Sequence, residues 1–166
     1  MSDLPKLLSS STIIRFQDCD PYKHLNNIKY LEYFINARED QVLEAYDLDI
    51  YNIAITQGVG WVTAQNQIAY IRAAVMKEKV EITSKIIQFA PRAMSVEFQM
   101  LNADTGKLKS IMWSKFVHID MRTGKSLEHN AYFMEMFTKL TVSVDADHFE
   151  ARVKAIRAES LAQKSS

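Results

Sequence analysis

Phe16-Gln17-Asp18-Cys19-Asp20-Pro21-Tyr22-Lys23-His24-Leu25-Asn26-Asn27-Ile28-Lys29-Tyr30 packs two carboxylates, an imidazole and two amides into a turn that opens a helix. Pro21 fixes its own φ and pushes Asp20 away from the α region. Asn26 or Asn27 then suits the N-cap of the apolar segment that follows. Backbone N–H groups at that helix start would face the same small volume as the acidic side chains. With the positive end of the helix dipole, they can hold negative charge that develops on a substrate oxygen.

Upstream of this stretch, residues 1–10 read as a polar lead-in, and Thr12 to Phe16 as a short β-branched first strand. Downstream, Ile28, Leu31, Phe34, Ile35, Ala37, Val42, Leu43 and Ala45 recur at helical spacing up to about Tyr46, so a largely buried helix is expected. Gly58 and Gly60 mark a break, after which four β-like runs follow at about 61–72, 79–90, 93–103 and 108–121. In the third run Met94, Val96, Phe98 and Met100 alternate with Ser95, Glu97 and Gln99, which predicts one covered face. Pro91-Arg92, Asp104-Thr105-Gly106-Lys107 and Arg122-Thr123-Gly124-Lys125 separate the later segments and predict an antiparallel meander. Residues 131–138 suit a short helix or strand. Asp145 to about Gln163 reads as a helix with Asp145 or Asp147 near its cap, and Lys164-Ser165-Ser166 as a frayed tail.

The order of one long helix followed by strands predicts an α+β domain with the sheet wrapped around the helix. The chain of 166 residues fits one domain, 1–166, with a core at about 12–138 and a C-terminal helical extension at about 140–166. An apolar content of 48% is enough to fill that core. Pairing of sheet edges in a symmetric dimer would cover exposed strands, so at least a dimer is expected.

Twenty basic residues balance twenty acidic ones, which gives no reason to expect nucleic acid or a membrane surface as partner. The apolar runs are broken well short of the roughly 20 residues that span a bilayer. Cys19 is the single cysteine, and no basic-then-apolar leader opens the sequence, so a cytosolic protein is expected. With no Cys pair, no His-x-x-x-His and no Gly-rich phosphate loop, neither metal nor cofactor is expected.

Catalysis should therefore rest on side chains and backbone. A carboxylate beside a helix N-terminus can attack an electrophilic carbonyl, or activate water to do so, which amounts to acyl transfer to water. Asp20 is the better candidate, Asp18 suits bracing of the turn through backbone bonds, and His24 and Asn26 would orient water, substrate or Asp20. Taken singly, these residues are ordinary turn-and-cap chemistry; their combination carries the argument. Cys19 lies between two carboxylates that disfavour a thiolate, and it reads as inert. His118 reads as structural, and the Tyr and Met residues of the long helix as core first and tunnel lining second.

Phe16, Asp18, Asp20, His24, Asn26, Asn27, Tyr30, Tyr33, Ala37 and Arg38 stand at positions that match the hotdog-fold acyl thioesterases, both the 4-hydroxybenzoyl-CoA thioesterase type and the plant acyl-carrier-protein type. Asp18-Cys19-Asp20-Pro21 resembles the tetrad whose second Asp is the catalytic carboxylate, which points to Asp20. Ile68-Ala69-Tyr70-Ile71-Arg72 and Lys79-Val80-Glu81-Ile82 are similar to the second and third strands of the family, and the resemblance covers about residues 12–120. It implies a hotdog fold, a dimer or dimer of dimers with sites at the subunit interface, and an acyl-CoA or acyl-carrier-protein substrate. In that reading Asp20, His24 and Asn26 are catalytic, and the segment Asn27, Ile28, Lys29 and Tyr30 meets the substrate oxygen.

The chain departs from the family pattern at Lys23, where Gly is usual, at Tyr22, where plant enzymes have Asn, at Ile35-Asn36, where acidic residues are common, and at Lys77-Glu78, where Gly-Asp is usual. Tyr22 and Lys23 motivate a second hypothesis, a non-catalytic hotdog protein that binds an acyl thioester or apolar ligand. Enoyl-CoA hydratases of the same fold place Asp and His at a wider spacing than Asp20 and His24, and stand well behind.

Overall fold

Five antiparallel strands, β1 (Leu8–Ile13), β2 (Val59–Tyr70), β3 (Lys79–Ala90), β4 (Ala93–Asn102) and β5 (Leu108–Asp120), form one sheet in the order β1-β3-β4-β5-β2. The computed structural model describes residues 4–162; residues 1–3 of the expected lead-in, Gln163 and the expected tail Lys164-Ser165-Ser166 lie outside them. The helices are α1 (Lys29–Tyr46), α2 (Ile50–Gln57), α3 (Ala131–Leu140) and α4 (Phe149–Ala162). None of the helices described is long and apolar enough to cross a membrane.

The meander from β3 to β5 follows its turns. Asn102 Oδ1 accepts the Asp104 and Thr105 N–H groups, and Gly106 takes φ 66° to close the β4–β5 hairpin. The Arg122–Lys125 turn instead returns the chain to a single bridge, Ile119 to Ser126, and no further strand follows. Ala64 and Ile87 are extra residues in β2 and β3, where the pairing register shifts. Such bulges increase local twist and help a sheet to curl around a helix.

The concave face holds the main core. Val80, Ile82 and Ile86 of β3 and Val96, Phe98 and Met100 of β4 pack with Tyr30 and Phe34 of α1. Phe34 and Phe98 meet at 5.6 Å between ring centroids, and full burial of one such side chain contributes about 1.5–3 kcal/mol.

Five expectations need correction. The first strand begins at Leu8, inside the expected polar lead-in, because Ser9, Ser10 and Ser11 pair along the edge of β3. The helix α2 was not foreseen; Asp49 caps it by accepting the Asn52 N–H at 2.8 Å, and Gly58 ends it at φ 66°. α1 is buried along one side only, with Leu31 and Leu43 exposed. Fourth, β4 has two covered faces. Glu97 is 1% exposed, because α4 lies over the convex side with Phe149 and Ile156 packed on Leu108 and Ile111. α4 itself begins at Phe149, later than the expected Asp145 or Asp147 cap.

Glu97 accepts hydrogen bonds from Arg152 Nε at 2.8 Å, Arg152 Nη2 at 3.0 Å, Trp113 Nε1 at 2.9 Å and Gln99 Nε2 at 3.0 Å, with Lys85 Nζ at 3.4 Å. Burial alone would push this carboxyl up; the bonds from Arg152 and Trp113 and the charges of Arg152 and Lys85 hold it below the ordinary carboxylate value.

Candidate active site

The turn before α1 is built around Asp20. Its N–H donates to the His24 carbonyl at 2.8 Å, and its own carbonyl accepts the Lys23 N–H at 3.0 Å. Its Oδ1 accepts the N–H groups of Tyr22 at 2.9 Å and His24 at 3.1 Å. One carboxylate oxygen is thereby fixed, and Oδ2 has no donor among the described residues. The Leu25 N–H to the Ala74 carbonyl at 2.8 Å and the Met76 N–H to the Lys23 carbonyl at 3.0 Å tie the turn to the loop before β3.

Lys23 and Lys77 both adopt left-handed backbone, at φ 63° and 65°. These are two of the positions where the resemblance leads one to expect glycine, and the geometry gives the reason: only glycine occupies that region without a Cβ penalty.

The start of α1 differs from the expected cap. Ile28 is the N-cap and makes no side-chain cap bond. Asn26 works from outside the helix: its Oδ1 accepts the Ile28 N–H at 3.2 Å, and its carbonyl accepts the Lys29 N–H at 2.8 Å. The Asn27 N–H has no acceptor among the described residues, while the Asn27 carbonyl accepts the Tyr70 hydroxyl at 2.9 Å. Of the expected segment Asn27, Ile28, Lys29 and Tyr30, the N–H groups of Ile28 and Lys29 are thus engaged, and that of Asn27 is spare.

Other residues of the stretch divide into bracing and exposed groups. Asp18 braces through backbone and side chain: its carbonyl accepts the Asn26 N–H at 2.9 Å, Tyr33 donates its hydroxyl to Asp18 Oδ2 at 2.8 Å and accepts the Arg15 N–H at 3.0 Å, and Lys29 Nζ lies 3.9 Å from Asp18 Oδ1. Tyr30 is buried, its oxygen accepts the Ala74 N–H at 3.1 Å, and its ring meets the Tyr70 edge at 5.1 Å. The His24 ring is exposed, and its backbone makes the bond to Asp20. The Cys19 thiol is pushed up by burial and then by the Asp18 and Asp20 charges, as expected of an inert group.

At the other end of α1 lies a feature that the sequence did not announce, a cavity of about 330 Å³. Ile35, Val42, Trp61, Val96, Phe116 and Phe137 contribute apolar walls, and Arg38 and Glu39 also line it. Its wall-forming residues come from α1, α2, β2, β3, β4, β5 and α3, so no local motif could have revealed it. Asp20, His24 and Asn26 are not among its lining residues. From Lys29 to Arg38 the helix rises about 14 Å, which separates reactive turn from cavity within one chain.

A family model described as the thioesterase-like superfamily matches residues 14–147. The chain belongs to this superfamily. It is 27% identical over 114 residues to the long-chain acyl-CoA thioesterase FadM of Escherichia coli (strain K12), covering 69% of this chain and 84% of the relative. The fold matches Slr0204, a 1,4-dihydroxy-2-naphthoyl-CoA thioesterase from Synechocystis, with TM-score 0.72, 15% identity, and 86% and 99% of the two chains covered. It also matches the 12:0-ACP thioesterase from Umbellularia californica with TM-score 0.73 and 14% identity, over 84% of this chain and 52% of that one. The α+β architecture is therefore the hotdog fold, and the superfamily's chemistry is thioester hydrolysis.

Proposed function

We propose that this protein is a cytosolic hydrolase of acyl-CoA or acyl-carrier-protein thioesters that works as a homodimer, with Asp20 as nucleophile or general base. The observation that carries the reading is the Asp20 carboxylate itself, held through Oδ1 by two backbone N–H groups beside the spare Asn27 N–H at a helix start. Oδ2 either attacks the thioester carbonyl or takes a proton from the attacking water. Charge that develops on the carbonyl oxygen is met by the Asn27 N–H and the helix dipole. In the general-base route, collapse of the adduct breaks the carbon–sulfur bond and the thiolate takes the proton that Asp20 drew from water. In the nucleophilic route the thiolate leaves first, and water then cleaves the mixed anhydride on Asp20, which frees the acid and the carboxylate and supplies the proton of the thiol. Asn26 positions Ile28 and Lys29, and His24 orders Asp20 through its backbone.

The path of β2 supports the dimer. Its Gly60–Thr63 end lines the cavity, and Tyr70 at its other end bonds Asn27 beside the reactive turn. β2 ends the sheet, so its outer edge is unpaired, and a twofold axis pairing two such strands antiparallel sets the turn of one subunit against the cavity of its partner. Phe16 (79% exposed), Tyr22 (80%) and Ile28 (74%) expose an apolar surface at the turn that such pairing would cover.

Thiol release from short, long and aromatic acyl-CoAs and acyl-carrier proteins tests the assignment. The wild type should hydrolyse part of the panel, and Asp20→Asn should lower kcat/KM by a hundredfold or more, at roughly the scale of lost general-base catalysis. Absence of release by the wild type, with acyl thioester still bound, would establish the non-catalytic alternative instead.

A further inference from the structure

The cavity at the far end of α1 contains a charge that its surroundings do not explain. Arg38 is the one basic residue among those lining it, and the acid beside it in sequence, Glu39, is bonded to another wall residue: Glu39 Oε2 accepts the Tyr51 hydroxyl at 2.7 Å. The helical neighbours that could reach the guanidinium, at three and four residues either side, are Phe34, Ile35, Gln41 and Val42, none of them acidic. Arg38 makes no salt bridge among the described residues; Nη1 donates to Ser84 Oγ at 3.0 Å, and Tyr46 supplies the other polar contact.

Both partners are neutral oxygens already committed as donors, Ser84 to Gln41 Oε1 at 2.6 Å and Tyr46 to the Pro5 carbonyl at 2.6 Å. They orient the guanidinium without neutralising it. Burial accordingly pulls the Arg38 pKa down to about 10. An uncompensated charge beside an apolar cavity costs stability unless something in the working protein offsets it. Arg presents five N–H donors in a planar fork that matches a carboxylate.

We propose that Arg38 is a specificity-determining residue, and that the cavity takes an acyl group whose distal end carries a carboxylate, held by the Arg38 guanidinium while the apolar walls enclose the chain. This rests on the thioesterase reading for the identity of the near end, where the partner subunit's turn would meet the thioester.

The test uses two non-hydrolysable S-alkyl-CoA thioethers of equal medium length, one ending in a methyl group and one in a carboxylate, bound to the full-length dimer in calorimetry. Wild type should bind the carboxylate form about tenfold more tightly or better, and Arg38→Met should abolish that preference. Arg38→Lys, which keeps the charge and loses the fork, should retain part of it. It also serves if Arg38→Met does not fold. Equal binding of the two thioethers by wild type, or no binding of either, overturns the proposal. Hydrolysis of the matching thioesters is read separately: thioester cleavage with no end-group preference in binding would leave the enzyme reading standing and remove the role of Arg38, while preference without cleavage would do the reverse.

Discussion

The two ends of α1 are built on opposite principles. At its start, short backbone bonds fix a polar turn and Asp20 keeps a free carboxylate oxygen. At its far end, side chains from seven elements, most of them apolar, line a cavity of about 330 Å³. A reactive turn can be specified by a few consecutive residues; a cavity needs the whole fold. On the proposed reading one chain holds the two halves of a site at a distance, and pairing of two subunits would bring them together.

The largest effect should come from breaking both ends separately. Asp20→Asn disables the turn, and Ala54→Trp fills the cavity from α2, where Ala54 is a lining residue. Each homodimer should be inactive in thiol release. After the two are mixed, denatured and refolded together, activity should return, since one of the two composite sites then joins an intact turn to an intact cavity. If both halves of a site came from one chain, mixing would restore nothing.

A second probe loosens the cavity end alone. His118 and His129 stack at 4.8 Å between centroids behind the Trp61 wall, and Trp61 Nε1 donates to His129 Nε2 at 3.0 Å. His118 Nε2 and His129 Nδ1 are buried without partners. Burial first, and His118 second, hold His129 below its ordinary value. The folded form therefore binds fewer protons than the unfolded chain, and this contribution to stability is present above about pH 6.5 and is lost as pH falls below it. The thermal midpoint should drop between about pH 7 and pH 5, and drop less in His129→Gln. An identical pH dependence in the two proteins would show that the stacked pair does not titrate with unfolding.

The smallest effect sharpens the turn end. Lys23→Gly and Lys77→Gly remove a Cβ from left-handed backbone, and each should raise unfolding stability by about 0.5–1 kcal/mol in urea titration, net of the flexibility that glycine adds to the unfolded chain. A loss of stability from either change would mean that the lysine side chain does more for the fold than its backbone geometry suggests.

These contrasts also mark what was readable from residues alone. The strands β3, β4 and β5 lie within a residue of their expected bounds, because alternation and turn chemistry are local signals. The turn and α1 were readable for the same reason. β1 was placed late, since Ser9-Ser10-Ser11 has no apolar alternation and becomes a strand only by pairing with β3. Asp49 and Gly58 were there as caps for α2, but its eight residues were too short a pattern to stand out. In the candidate site, the turn that holds the Asp20 carboxylate was readable from sequence, whereas the Tyr33 brace on Asp18 needed the fold to bring them together. That Arg38 lacks an acidic partner among the described residues became visible only from their positions in the fold.

Seen from the convex face, the C-terminal helix is a counterion that the chain delivers to itself. The Arg152 guanidinium reaches Glu97 across 55 residues of sequence, and Glu97 sits in the middle of the sheet that carries everything else. Trimming the protein back to its hotdog core would therefore do more than shorten it. It would remove the guanidinium that makes two of the bonds to Glu97 and leave Lys85, Trp113 and Gln99 to hold an anion inside a β-sheet.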